Sequence, residues 1–464
     1  MTLAFPTEDT IAAIATAIAA GQGGIAVVRI SGPEALTVSK SIVSVPGEKL
    51  WNSHTVLYGH VMNKERSERI DEVLILIMQG PRSFTGEDVV EIHCHGGVIA
   101  VQRVLERVLG HPQVRRAMPG EFSQRAVLNG RLDLTQAEAI SELVGARSRQ
   151  AAQLAMAGIN GEIQQRITAL RETLLDLLSE LEARLDFEDE LPPLDEEKVL
   201  NDLLTVQSEL HNLLDDATRG SSLRQGLSVA IIGCPNVGKS SLLNRLSRKD
   251  RAIVTDLPGT TRDLLESEVI LEGVPITLLD TAGIRSTNDE IEKLGIERSQ
   301  EALKSADVVV LLFDLSRGWT EDDRALLNKI PKDAPNLVIG NKADIKTNSI
   351  WENQKGTIPQ IEPDVSLSAL TGDGEAAFIK ALLKICGAHE TQGLQIALNE
   401  RQRDLAAIAA AALDRSKEVA NQKLPWDFWT IDLREAIQSL GEITGNEITE
   451  AVLERIFSRF CIGK

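Results

Sequence analysis

The spacing of apolar positions changes three times along this chain, and each change predicts a different kind of packing. Residues 1 to about 120 carry short β-branched runs, Gly24 to Ile30, Val73 to Met78 and Val89 to His93, interleaved with a helical stretch from Val98 to Leu109. Short strands mixed with helices predict an α+β domain. From Leu132 to about Gly220 the period becomes helical, and Ile163, Ile167, Leu170, Leu174, Leu177, Leu181 and Leu185 recur at spacings of three and four. That stripe predicts one long helix. The acidic, proline-containing stretch Asp186 to Asp195 breaks it. A second stripe at Val199, Leu203, Val206, Leu210 and Leu213 predicts a helix packed antiparallel to the first. Buried-strand runs then appear at Leu227 to Ile232, Ile276 to Leu279 and Leu337 to Ile339. Helical periods return over Leu394 to Val419, Trp426 to Leu440 and Glu447 to Phe457.

Helical segments on both sides of an α/β segment predict an insertion, because a domain whose termini lie close together can be spliced into a host without breaking it. The expected architecture is a multidomain α/β protein. An α+β domain spans 1–122, a discontinuous all-α domain spans 123–220 and 391–464, and a Ras-like phosphate-loop domain spans 221–390. Two independent helical domains are the alternative, since the segment after 390 is long enough to fold alone.

The run Ile11 to Ala20 has the length and small residues of a signal-peptide core, yet Glu8 and Asp9 precede it where positive charge would be expected. It reads as a helix capped by Asp9 or Thr10. No run reaches the roughly 18 apolar residues needed to span a bilayer, so a soluble, cytoplasmic protein without a membrane partner is expected. Composition narrows this further. With 464 residues, 49 Lys+Arg and 68 Asp+Glu, the net charge is −19, so no overall basic field exists to hold nucleic acid by counterion release. Any RNA must bind locally or through a partner. The four cysteines, Cys94, Cys234, Cys386 and Cys461, are dispersed without a C-x-x-C pair, which suggests neither a disulfide framework nor a zinc site.

Chemistry enters with Gly233 to Ser240, GCPNVGKS, which fits G-x-x-x-x-G-K-[ST] between a buried strand and a helix. In that setting, turn N–H groups and the helix N-terminus face an anion, Lys239 neutralises β/γ phosphates and the Ser240 hydroxyl ligates Mg²⁺. DTAG, Asp280 to Gly283, follows an apolar run, so its aspartate can hold Mg²⁺ through water and Gly283 can approach a γ-phosphate. NKAD supplies Asn341, Lys342 and Asp344, whose carboxylate can accept two hydrogen bonds from guanine. Ser368 and Ala369 fit the last base-contacting loop. Four elements in this order predict GTP as the nucleotide. His93, Cys94 and His95 suggest a metal cluster at first sight, but in a strand the two histidines share a face and Cys94 opposes them.

Further strings carry a resemblance over the whole chain: PGEFSQRA (Pro119 to Ala126), NGRLDLTQAEAI (Asn129 to Ile140), PGTTRD (Pro258 to Asp263) and the terminal FCIGK (Phe460 to Lys464). The chain closely resembles the MnmE (TrmE) family of tRNA modification GTPases. The resemblance implies a GTP hydrolase that, with the flavoprotein MnmG, installs a carboxymethylaminomethyl or aminomethyl group on C5 of the tRNA wobble uridine. The one-carbon unit would come from 5-formyl- or 5,10-methylene-tetrahydrofolate. It implies a homodimer formed through the N-terminal domain, and a GTPase stimulated by K⁺.

Site residues follow from the same resemblance. Nucleotide contacts map onto Asn236, Val237, Gly238, Lys239, Ser240 and Ser241, onto Thr255, Asp256, Leu257, Pro258, Gly259, Thr260 and Thr261, onto Asp280, Thr281, Ala282 and Gly283, onto Asn341, Lys342, Ala343 and Asp344, and onto Ser368, Ala369 and Leu370. Thr261 matches the second Mg²⁺ ligand beside Ser240. Asn236, Thr255, Leu257 and Thr260 match the positions that hold K⁺, where a monovalent cation would offset transition-state charge. Many small GTPases place a glutamine after D-x-x-G to orient the attacking water; Ile284 stands there and cannot hydrogen-bond, and the resemblance gives that role to Glu292. Folate positions fall on Arg29, Glu87, Arg131 and Lys464. A pterin donor edge suits a carboxylate, and a glutamate tail suits cations. Cys461 is either a nucleophile near that pocket or a small apolar filler. The competing class is a regulatory GTPase timing ribosome assembly, which a folate-binding measurement would separate.

Overall fold

The computed structural model describes residues 9–18, 23–47, 49–186, 195–248, 266–280, 303, 306–345, 361–388, 394–422 and 427–463. Its contacts divide the chain into two units, Met1–Ser141 with Gly158–Val199 and Arg415–Lys464, and Glu142–Ala157 with Leu200–Asp414.

In the first unit the β-branched runs become one sheet, built from β1 (Thr10–Ile14), β2 (Ile25–Ser31), β3 (Val43–Ser44), β4 (Thr55–Met62), β5 (Arg69–Met78), β6 (Val89–His95) and β7 (Val114–Arg116). The spatial order is β3-β4-β5-β6-β2-β1-β7. All neighbours are antiparallel except β1 and β7. Along β4 and β5, buried Leu57, Val61, Val73, Ile75 and Ile77 alternate with exposed Val56, Tyr58 and Leu74. One face is therefore packed. Helices α1 (Ala35–Ile42) and α2 (Val98–Leu109) cover it, burying Val38, Ile42, Val101 and Val104 against Val28, Ile30 and Ile92.

The helix expected over Ile11 to Ala20 is absent: Thr10–Ile14 is strand β1, residues 15–18 belong to no helix or strand, and 19–20 lie outside the described residues. The reason is position. Between β2 and β7, Ile11, Ala12 and Ala13 are all buried, and a strand covered on both faces loses the alternation that distinguishes it from a buried helix.

Five helices follow, α3 (Glu121–Leu128), α4 (Leu134–Gly145), α5 (Arg149–Ile159), α6 (Glu162–Asp186) and α7 (Glu196–Gln225). The second sheet comes next, with β8 (Leu227–Ile232), α8 (Lys239–Leu246), β9 (Glu266–Leu271), β10 (Val274–Asp280), β11 (Val308–Asp314), α9 (Glu321–Leu327), β12 (Asn336–Asn341), β13 (Val365–Ser366) and α10 (Glu375–Ile385). Its order is β13-β12-β11-β8-β10-β9, parallel except for β9. Every residue of β11, VVVLLFD, is buried, as expected for a central parallel strand with both faces covered. The chain ends in α11 (Glu400–Asn421), α12 (Asp427–Thr444) and α13 (Glu450–Phe457). Helix α11 starts at Glu400 rather than near Leu394, because Asn399 and Gln402 cap each other's backbone N–H groups.

The stripe on α6 is buried from Ile163 to Leu181, but its partner is α12. Helix α7, the expected antiparallel neighbour, lies in the second unit from Leu200 onward. An Arg171–Glu447 ion pair of 2.7 Å and an Arg434–Glu182 pair of 2.5 Å join segments from before and after the second sheet in the chain. Among the described residues, no helix is long and apolar enough to cross a membrane.

Candidate functional site

In the second unit, β8 delivers the chain into the loop 233–238 and α8 leaves it at Lys239. Gly238 has φ +101°, and a Cβ there would lie 2.2 Å from Asn341 Nδ2, so the turn needs glycine. As the residue before the helix, Gly238 offers no side-chain acceptor. The first N–H groups of α8 are thus left for an anion. Lys239 Nζ donates to the carbonyls of Gly233 (2.7 Å) and Cys234 (3.0 Å), which folds its charge over the loop. This donor set fits a triphosphate. Ser240 and Ser241 are exposed at the start of the helix.

The Asn341 side chain ties the loop after β13 to the loop after β8. Asn341, 2% exposed at the end of β12, donates from Nδ2 to the Val237 carbonyl (2.7 Å) and accepts at Oδ1 from the Ala369 N–H (2.9 Å). Lys342 Nζ donates to Asp314 Oδ2 at 2.6 Å. Burial alone would raise the Asp314 pKa, but the bonds from Lys342 and Ser316 outweigh it and hold the carboxyl below its ordinary value. Asp344 is exposed and has no hydrogen-bond partner among the described residues. The Ala343 N–H donates to Leu367 O, Ser368 Oγ accepts from the Thr371 N–H, and Leu370 is exposed at the rim. Asp280 ends β10 beside Ile231 of β8; its side chain lies outside the described residues. So do Thr255, Asp256, Leu257, Pro258, Gly259, Thr260 and Thr261, Thr281, Ala282 and Gly283, and Glu292.

Two braces had no signal in the sequence. Arg245 of α8 pairs with Glu375 (2.5 Å) and donates to Leu370 O (3.2 Å), which holds the 368–370 loop to the helix that carries Lys239. Arg317 grips Asp323 through both carboxylate oxygens (2.9 and 3.0 Å). Burial, then the adjacent Asp323, pushes the Cys234 thiol up, so it stays protonated inside the loop.

In the first unit, Arg29 of β2 is a hub. Its Nε meets Glu91 at 2.8 Å, one terminal nitrogen donates to Gly463 O at 3.3 Å, and the guanidinium lies 5.3 Å from the Phe84 ring centroid and 5.6 Å from that of Phe122. The C-terminal segment is thereby docked. Gly120 N–H also donates to Cys461 O (3.2 Å), and Gly463 has φ +97° with its would-be Cβ 2.3 Å from Ile14 O, so only glycine fits there. Cys461 is exposed, and Lys464 lies outside the described residues.

Glu87 accepts from Ser31 Oγ (2.7 Å) and from Arg125 (3.1 and 3.2 Å). Ser31 and Arg29 are two apart on β2 and face the same side. Arg125, only 5% exposed, also pairs with Asp9 and Glu121, and Arg115 pairs with the same two carboxylates. Burial would raise both acids, yet the bonds from these arginines win and lower Asp9 and Glu121. Sequence reasoning missed Arg125 as a site residue. Its string PGEFSQRA was conspicuous, but nothing in a string shows a reach to residues 9 and 87. Arg131 is exposed beside the Glu87 loop, its turn fixed by Asn129 Nδ2 donating to Thr85 O (2.7 Å).

His93 and His95 do face away from buried Cys94. His93 meets Glu91 (3.3 Å) and His95 meets Asp71 (2.6 Å), while burial pushes the Cys94 thiol up to about 11. Among the described residues no group of three metal-ligating side chains occurs.

Comparison with known proteins gives matches along the whole chain. The family profile described as "MnmE helical domain" matches residues 134–461, and that described as "GTP-binding protein TrmE N-terminus" matches residues 10–131. The chain is similar to the tRNA modification GTPase MnmE of Prochlorococcus marinus (strain MIT 9303), at 70% identity over 464 residues, 100% of each chain. It is 67% identical over 459 residues to that of Synechococcus sp. (strain CC9902), 99% of this chain and 100% of the relative. Among solved structures, a point variant of Aquifex aeolicus Era bound to GDP.AlF4- is 28% identical over 40% of this chain and 66% of that chain, with a TM-score of 0.28.

Proposed function

The chain belongs to the MnmE (TrmE) family of tRNA modification GTPases, and from that premise we propose that it is a K⁺-dependent GTPase acting with the flavoprotein MnmG on C5 of the tRNA wobble uridine. The observation that carries this reading is the meeting of Arg29 with the carbonyl of Gly463, beside the Glu87 carboxylate that Ser31 and Arg125 hold. A carboxylate and a cation set around a docked terminus suit a pterin and its acidic tail. Tetrahydrofolate, when bound, supplies the one-carbon unit. Glu87 would take the pterin donor edge and Arg29, Arg131 and Lys464 the anionic parts, and Cys461 lies close to Lys464 in sequence.

At the nucleotide end, Lys239 and the N-terminus of α8 bind the phosphates, Ser240 and Thr261 would hold Mg²⁺, and Asp344 would read guanine. Asn236, Thr255, Leu257 and Thr260 would hold K⁺, with Glu292 orienting water. The domains proposed are 1–122 for folate and dimer formation, 123–220 with 391–464 for the helical host, and 221–390 for the GTPase, in a cytoplasmic homodimer. Deleting the gene and measuring wobble-uridine nucleosides by mass spectrometry should show loss of the C5 group. Complementation with Glu292→Ala should fail to restore it. Unchanged nucleosides in the deletion strain would refute the reading, and equal hydrolysis rates in Na⁺ and K⁺ would remove the cation role.

A further inference from the structure

A cleft of about 410 Å³ opens beside the Glu87 loop, lined by His54, Met78, Pro81, Arg82, Phe84 and Arg131 among others. Two features set it apart from an ordinary patch of surface charge. First, the guanidinium groups of Arg82 and Arg131 have no ion-pair or hydrogen-bond partner among the described residues, whereas Arg29, Arg115 and Arg125 in the same unit are each matched to carboxylates. Second, none of the lining residues is acidic, in a chain with 68 acidic residues against 49 basic ones. Two cations converging on one concave surface repel each other until an anion enters.

The cleft also adjoins the site already described. Phe84 lines it, and the same ring lies 5.3 Å from the Arg29 guanidinium. The turn bearing Arg131 is pinned to the loop bearing Glu87 by the Asn129–Thr85 bond. A ligand with its ring system at Glu87 and Arg29 would have to pass Phe84 for its far end to reach Arg131 and Arg82.

We propose that this cleft is a subsite for the γ-linked glutamate extension of a polyglutamylated folate, with Arg131 meeting the first carboxylate and Arg82 with His54 meeting those beyond. The proposal rests on the folate reading above. Each added γ-glutamate brings one carboxylate on an apolar two-methylene spacer. The lining matches both parts, with Arg82, Arg131 and His54 for the charges and Met78, Pro81 and Phe84 for the spacers. A nucleic-acid backbone would use the cations but leave those apolar side chains without a counterpart, which favours the glutamate chain.

The test is calorimetric titration of the full-length protein with 5-formyltetrahydrofolate in its monoglutamate and triglutamate forms. The triglutamate should bind roughly three- to tenfold more tightly, the range for two partly exposed ion pairs, and the advantage should shrink as salt rises. Arg82→Gln, at an exposed position, should bring the ratio toward one, with the loss falling on the triglutamate. His54→Gln should do so by less. Equal affinity for the two forms in the unmodified protein, or a ratio that Arg82→Gln leaves unchanged, would overturn the proposal. If Arg82→Gln weakened tRNA binding and left the ratio alone, the cleft would be a nucleic-acid surface. Failure of the monoglutamate to bind would instead remove the folate reading itself.

Discussion

The nucleotide loop of the second unit is shaped mainly by main chain. Gly238 turns through φ +101°, Lys239 bonds two loop carbonyls, and Asn341 bonds a third. In the first unit the corresponding work falls to charged side chains: Arg125 and Arg115 knit Asp9, Glu87 and Glu121 together, and Arg29 ties Glu91 to the terminus. The difference teaches what each site tolerates. A main-chain cradle fails when a Cβ is added, but its shape does not depend on protonation. A lattice of ions keeps its shape only while every charge has its partner, and so it answers to pH.

The sharpest way to break the comparison is Arg125→Met, which leaves three carboxylates facing a removed charge. Loss of one partner from a buried ion network costs about 3–5 kcal/mol. Denaturant unfolding should show the first unit destabilised by about that much, while GTP titration detects a second unit that still binds. Loss of nucleotide binding in parallel would mean that the two sites share one scaffold energetically. Next in size is Gly238→Ala. Left-handed backbone strain of about 1–3 kcal/mol, added to the clash with Asn341, should lower GTP affinity by about a hundredfold. The unfolding midpoint of the first unit should not move.

Acid provides a third discrimination. Asp9 and Glu121 have pKa values lowered from 3.8 and 4.5. A depressed carboxyl contributes stability that is complete above its unfolded pKa and is lost as pH falls through the folded value. Lowering pH from about 5 to 3 should therefore reduce the thermal midpoint of the first unit. Asp314 shifts in the same direction, so the second unit should weaken too, but by less, since its loop is held by amides and carbonyls. Differential scanning calorimetry would resolve the order, and a second unit that melts first would contradict it. The smallest effect expected is from Ser31→Ala. Removing one hydrogen bond to the Glu87 carboxylate costs about 1 kcal/mol, which corresponds to roughly a fivefold loss in 5-formyltetrahydrofolate affinity with GTP affinity unchanged.

Much of this molecule could be read from spacing alone. The glycines and lysine of GCPNVGKS, the strand before them and the helix after them all lie within a few residues, because a phosphate cradle is a local turn whose requirements are written into consecutive positions. The α6 stripe was equally plain, since a helix repeats its own period. What sequence position did not disclose was which distant surface each element would meet. Ile11 to Ala13 became a strand because β2 and β7 flank them, and α6 found α12, far along the chain, because burial of a stripe specifies an apolar partner without naming it. Arg125 is the clearest instance. Its neighbours in the chain mark a motif, but its chemistry depends on residues 9 and 87, and long-range charge pairing leaves no periodicity behind. Local backbone geometry was thus determined by the sequence itself, and the convergence of charges was decided only when α3, the loop between β5 and β6 and the start of β1 met in the tertiary structure.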